Sequence, residues 1–235
     1  MGTEACMARI QIMTPGHALA CALFGNLRPS NHLILATGPP SAHLAPLLDP
    51  SAPGSLSEWG VSVSVIPLSI DGSIDLEAVT AAISASHDAS NGHATGNSSP
   101  TAVLMQRAAS ATAADAVLGT ANRRAISIEE IAGVVAAVRA VDSGATVIVD
   151  NHGAELTDTR EPGHVGVDLV TGSLTGNLGG SIATEGGYVA GRSELVARAC
   201  ARLSAPGLSL DAGSVPGDTQ RLLFQGVIFI TILSR

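Results

Sequence analysis

Three short valine-rich runs constrain this chain more than any other feature. They are Thr146–Val149, Val167–Val170 and Tyr188–Ala190, none longer than four residues and each with a glycine within two residues of its start. Runs of that length are too short for helices and read as buried strands. The first ends in Asp150-Asn151-His152 and the second leads to Gly172-Ser173. Ligands of open α/β sheets sit at the carboxyl ends of strands, which is where these polar residues fall.

The rest of the chain alternates in the same manner. His32–Thr37, Val61–Leu68 and Thr101–Met105 read as further strands, the second with a valine–serine alternation that leaves one face wetter. Helices are predicted over Gly16–Leu27, after Asp75 with Leu76, Val79 and Ile83 on one face, and over Glu194–Leu203. Ser127 and Glu130 form a capping box before a stripe of Ile128, Ile131, Val134, Val135 and Val138. Ser84–Pro100 and Ala108–Ala121 lack large apolar residues and are predicted to be loops, and Met1–Arg9 carries no clear element. About six strands alternating with helices predict an α/β fold of three layers, α/β/α, with a mostly parallel sheet.

Composition agrees and narrows the function. Hydrophobic residues make up 46% of 235 but aromatics only 2%, so the core is built from Ala, Val, Leu and Ile. A net charge of −8 argues against a nucleic-acid partner or an anionic membrane surface. All 12 basic residues are arginine, which excludes any chemistry that needs a lysine amine from these residues. Three scattered cysteines, no signal peptide, and a Gly226–Leu233 run too short to span a bilayer predict a cytoplasmic protein with free thiols.

Asp150 closes a buried strand, a costly place for a carboxylate unless it serves a ligand, a helix cap or a structural hydrogen bond. His152, Glu155 and His164 lie nearby, but their spacing matches no compact metal motif, and no metal is predicted. The glycine-rich segment Gly172–Gly180 could cradle a phosphate with backbone N–H groups and the Ser173 hydroxyl. It lacks the dinucleotide and Walker patterns, and no nucleophile elbow is present. His17, in the first turn of its helix, reads more simply as structural than as a ligand contact.

The ordered segments QIMTPGHALACALFGNLRP, GSIDLEAV, VLMQR, ISIEEI, VIVDNHGAE, VDLVTGSL, GGYVAGR and RLSAPG resemble the aluminium-resistance, methionine γ-lyase-like family. That family comprises pyridoxal-phosphate (PLP) proteins of fold type I, related to cystathionine β- and γ-lyases. The resemblance runs from Gln11 to Gln225 and implies a fold-type-I large domain with PLP as cofactor. It further implies that Asp150 pairs with the pyridinium nitrogen and that Ser173 lies near the phosphate. Gly16 and His17 would hold the phosphate at a helix start, in keeping with anion binding at helix N-termini. Gln106 and Arg107 would face the substrate, a small amino acid carrying sulfur.

Several positions depart from the family pattern. The lysine that carries the Schiff base is replaced by Gly176, in GSLTGN. The family's serine-glycine-threonine at the phosphate turn reads Thr14-Pro15-Gly16, and Pro15 has no N–H. Pro39-Pro40-Ser41 stands where a lysine-proline-tyrosine run would supply a ring over the cofactor. The expectation is therefore a carbon–sulfur lyase relative that binds PLP noncovalently at best, with no catalytic residue in the usual place. The resemblance also implies residues 1–226 as a large domain shortened at both ends, without the small C-terminal domain, and 227–235 as an apolar tail outside the pattern. A silent chain of this kind could pair with itself or with an active paralogue as a pseudoenzyme, or be a shortened gene product with no independent role.

Overall fold

The computed structural model describes residues 2–91, 101–109, 123–205, 207–211 and 217–233. Seven strands form one sheet: β1 (Ala5–Arg9), β2 (His32–Leu35), β3 (Ser62–Val65), β4 (Thr101–Gln106), β5 (Thr146–Asp150), β6 (Leu169–Ser173) and β7 (Gly187–Gly191). Their order is β1-β7-β6-β5-β4-β2-β3. β2 runs parallel to both β3 and β4, whereas β7 is antiparallel to β1 and to β6. The sheet is mixed and mostly parallel. Among the described residues, six α-helices accompany it: α1 (Pro15–Asn26), α2 (Ala45–Leu48), α3 (Leu76–Asn91), α4 (Ile128–Val141), α5 (Ser193–Cys200) and α6 (Gly217–Leu233). None among the described residues is long and apolar enough to cross a membrane.

Two compact units divide the chain. The first comprises Met1–Asn26, Asp150–His164 and Asp168–Arg235. In it α1 packs against α5, and α1 is buried on most of its circumference through Ala18, Leu19, Cys21, Ala22 and Leu23. Burial pushes the Cys21 thiol up to about 11, so it packs as a small apolar group. The second unit comprises Leu27–Val149 and Val165–Val167. Its strand β4 is buried at every position, so helices or loops must cover both faces. Helices α3 and α4 pack together, and His87 Nε2 lies 3.0 Å from Asp142 Oδ2.

The α/β architecture follows the sequence pattern, with three local corrections. β1 occupies a stretch predicted to carry no element, because only Met7 of its five residues is buried and an edge strand shows no alternation. The loop expected from Ser84 instead continues α3 to Asn91. There the hydroxyls of Ser84 and Ser86 bond back to the carbonyls of Thr80 and Ile83, so polarity marks an exposed helix face. The remainder of that loop, and nearly all of Ala108–Ala121, fall outside the described residues. The third correction bears on the site: Gly172 and Ser173 belong to β6 itself and do not follow it.

The α4 capping box forms as predicted. Ser127 Oγ accepts from Glu130 N at 3.2 Å, and Glu130 Oε2 accepts from Ser127 N at 3.0 Å. Arg124, through its side-chain hydrogen bonds, and Ser127 hold the Glu130 carboxyl down to about 2. Because that value is lowered on folding, the stabilisation is fully present above the ordinary carboxylate range and is lost as pH falls through about 2. Ser127→Ala is expected to lower stability by about 1 kcal/mol in urea denaturation. Glu130→Gln should destabilise at neutral pH and converge on the wild type in strong acid.

Candidate functional site

The site is built at the carboxyl ends of β5 and β6, within the first unit. Asp150 is the last residue of β5 and is only 3% exposed. Its Oδ1 accepts from His152 N at 3.2 Å, turning the chain sharply after the strand. Asn151 N donates to Thr171 O at 2.8 Å, and the Asn151 amide donates to Tyr188 Oη at 3.1 Å and to Glu161 Oε2 at 2.9 Å.

Glu155 ties the turn to the next strand. It is almost fully buried, and its two carboxylate oxygens accept from Ser173 N and Gly153 N, each at 2.9 Å. Its carbonyl accepts from the Asn177 amide at 2.6 Å. Gly172 permits this arrangement: a Cβ there would lie 2.5 Å from Tyr188 Oη and 2.6 Å from Glu155 Oε1. Burial pushes the Glu155 carboxyl up against the pull of its backbone donors, and the charge of Asp150 adds to the rise. Burial first, and the Glu155 charge second, hold the Tyr188 phenol well above its ordinary value. Tyr188 therefore stays protonated and can accept from Asn151 while donating elsewhere.

Hydroxyls face the same strand end. Ser173 Oγ lies 2.6 Å from Thr175 Oγ1 and accepts from Thr175 N at 3.0 Å. Thr171 Oγ1 is buried with no hydrogen-bond partner. Such an atom carries a desolvation cost unless something else meets it. Gly176 heads the 3-10 turn Asn177–Gly179, and a Cβ there would meet nothing within 4 Å.

The start of α1 is attached to this strand end. Gly186 N donates to Ile12 O at 3.1 Å, and Gly187 is the register partner of Ser173. Thr14 caps the helix, accepting from His17 N at 3.1 Å through Oγ1, so this N–H is already engaged. Gly16 follows Pro15 in the same first turn. Gln106 and Arg107, in contrast, lie in the second unit. The Gln106 amide binds Ser41 and accepts from Arg123 Nη1 at 3.0 Å, and the Arg107 carbonyl accepts from Ile126 N at 2.9 Å. The structure thus brings Asp150 and Ser173 together through Glu155, and the Gly16-His17 turn to the Ser173 strand through Ile12.

Glu155 entered the sequence analysis only as a metal candidate, and Tyr188 only as a strand residue. The available signal was compositional. The chain's one tyrosine stands in a strand of small residues, GYVAG, where its bulk needs a hollow such as Gly172 provides. Among the described residues, no group of three His, Cys, Asp or Glu side chains could hold a metal ion. Of the three carboxylates here, Glu155 and Glu161 accept from backbone and amide N–H groups, and Asp150 Oδ1 accepts from His152 N.

Comparison with known proteins gives a consistent picture. The family described as methionine gamma-lyase matches residues 1–233. The uncharacterized protein YnbB of Bacillus subtilis (strain 168) is 33% identical over 228 residues, which is 96% of this chain and 49% of that one. A carbon-sulfur lyase involved in aluminum resistance from Clostridium novyi NT superposes with a TM-score of 0.80 at 33% identity, covering 99% of this chain and 50% of that one. Cystathionine gamma-lyase from Lactobacillus plantarum complexed with L-serine shares the fold, with a TM-score of 0.63 at 18% identity over 98% of this chain and 48% of that one. The chain spans about half the length of the curated relatives it matches.

Gly172→Ala is expected to cost about 1–3 kcal/mol by forcing Tyr188 and Glu155 apart, read from the urea midpoint. The raised Glu155 carboxyl keeps its proton longer in the folded protein than in the unfolded chain. Folding stability should then fall as pH rises from the ordinary glutamate value, about 4.3, toward the raised one. Glu155→Gln removes that slope, so a pH series of denaturation curves should show the wild type losing ground to the variant over this interval.

Proposed function

This chain belongs to the methionine gamma-lyase family, and we propose that it binds PLP noncovalently at the Asp150–Ser173 site and does not complete a carbon–sulfur lyase cycle. The donor set fits such a ligand. Asp150 offers a buried carboxylate to a protonated ring nitrogen. Ser173, Thr175 and the Gly16 turn offer O–H and N–H donors to a phosphate, and the unpartnered Thr171 hydroxyl gives one further contact. PLP, when bound, supplies an electron sink for charge developing at an amino acid's α-carbon.

The protein's own groups do the rest. Asp150 would hold the ring-nitrogen proton in place, and its Oδ1 accepts from the His152 N–H. Glu155 fixes the Ser173 backbone, and with it the direction of the Ser173 hydroxyl. Asn151 and Tyr188 brace the turn that carries Asp150. The observation that carries the reading is Gly176, where the family pattern has its lysine: the position has open space and no amine, and the 235 residues contain no lysine to substitute. With no side chain to take the α-proton, an amino-acid ligand would be held and not turned over.

A second reading, as an interaction partner for another copy or a longer relative, is favoured by α6, where Phe224 and Ile228 are 70% and 58% exposed. In that reading the exposed apolar side chains are covered on association. Size-exclusion chromatography at several concentrations tests it, and a monomer throughout argues against self-association.

For the cofactor, the visible spectrum of the purified chain is titrated with PLP, then borohydride is added and the intact mass measured. The wild type is expected to bind saturably and gain no mass, while Asp150→Ala weakens binding by about tenfold or more. Gly176→Lys should acquire a borohydride-stable mass increase of one cofactor. Fixation to the wild-type chain overturns the noncovalent reading, and absence of binding overturns the cofactor site.

A further inference from the structure

Helix α6 lies within the first unit, directly against the glycine-rich segment that follows β6. Gly226 stands near the middle of the helix and is buried, whereas Gln225 and Val227 on either side are exposed. A glycine inside a helix lowers its stability relative to alanine, so its presence there needs a physical reason. The reason is close approach. A Cβ on Gly226 would overlap the Gly179 carbonyl, and one on Gly180 would lie 2.6 Å from Gly226 O. Gly179 is enclosed from another side as well, where a Cβ would overlap the carbonyl of Leu174, the residue after β6. Backbone is thus stacked in three layers, α6 on the turn and the turn on the end of β6.

A second contact fixes α6 to the far end of the same segment. The buried Thr219 hydroxyl donates to Glu185 Oε1 at 2.6 Å. Thr219 and Gly226 are two helical turns apart and so share one face of α6. Between these anchors the turn is closed by its own backbone. Ser181 N donates to Gly176 O at 3.1 Å, and Ile182 N and Ala183 N donate to Gly179 O at 3.0 and 3.2 Å. The turn reaches the site at two places. The Asn177 amide donates to the Glu155 carbonyl, and Leu174 sits between Ser173 and Thr175, whose hydroxyls are 2.6 Å apart.

On the reading of Asp150–Ser173 as a PLP site, on which this rests, we infer that α6 is the clamp that positions the phosphate donors Ser173 and Thr175. Gly226 and Thr219 are its positioning residues. Close-packed interiors have low compressibility, so stacked backbone passes a displacement on. A side chain at position 226 must push Gly179 away, and the Leu174 carbonyl lies in the path of its retreat. Moving Leu174 shifts the hydroxyls on either side of it. Asp150, on the neighbouring strand and held by the His152 N–H, keeps its place. Loosening α6 therefore weakens the hold on a phosphate and spares the hold on the ring.

The test compares the full chain with its variants by amide hydrogen exchange and by titration with PLP and with pyridoxal, which lacks the phosphate. Gly226→Ala is expected to speed exchange at Ser181, Ile182 and Ala183 by about tenfold or more, with Val189 and Ala190 of β7 unchanged. PLP should bind about tenfold more weakly, and pyridoxal within about twofold of the wild type. Gln225→Ala, on the exposed face of the same helix, should leave both readouts at wild-type values. If Gly226→Ala loses the β7 protection and unfolds, Thr219→Val carries the test, with about threefold effects in the same direction. Faster exchange without weaker PLP binding, equal losses for PLP and pyridoxal, or wild-type exchange at Ser181, Ile182 and Ala183 in a folded variant would each overturn the clamp. Failure of the wild type to bind PLP overturns the cofactor reading instead, and the exchange rates then decide the clamp alone.

Discussion

The buried carboxylate of Glu155 is the interaction on which the first unit's site depends. One side chain accepts from the backbone of the turn after β5, at Gly153, and from the backbone of β6, at Ser173. A carboxylate taken from water costs several kcal/mol unless its lone pairs are met, and charge-assisted bonds from backbone N–H groups are strong enough to meet them. The cost explains the neighbours. Gly172 leaves room for the carboxylate and for Tyr188, and Asn151 positions the phenol against the same turn. Remove Glu155, and Ser173 and Asp150 lose their common reference.

Much of this fold was legible because parallel strands buried on both faces must be continuous apolar runs. Ala102–Met105 and Val147–Val149 are of that kind, and β4 and β5 lie where those runs are. The α4 helix was legible for a different reason, its capping box and its stripe of Ile and Val being local signals. β1 was not, since an edge strand with one buried residue leaves no periodic trace. Neither was the helical character of Ser84–Asn91, where serine hydroxyls satisfied within the helix look like loop polarity in a linear reading.

The candidate site divides along the same physical line. Asp150 and Ser173 stood out because polar residues at strand ends are conspicuous against valine. Glu155 and Tyr188 did not, because their importance comes from a meeting across Gly172 between residues 17 and 16 positions from it along the chain, which no local pattern encodes. The positions that depart from the family pattern were legible for the simplest of reasons: a missing lysine and an added proline are chemical facts before they are structural ones. At Thr14-Pro15-Gly16-His17 the structure adds the consequence. With no N–H on Pro15 and that of His17 engaged by Thr14, Gly16 is left as the first-turn donor suited to an anion.

Arginine and lysine are not exchangeable in this setting, and an all-arginine chain makes the distinction visible. A lysine amine can lose its proton in a buried site and act as base or nucleophile; a guanidinium cannot, and its value lies in fixed geometry and permanent charge. A chain with only arginines therefore keeps the means to recognise anions while giving up amine chemistry. Arg123 illustrates what is retained: it is buried, and its Nη1 donates to Gln106 Oε1 at 3.0 Å. Gly176 illustrates what is given up: the position carries no side chain, and a Cβ there would meet nothing within 4 Å.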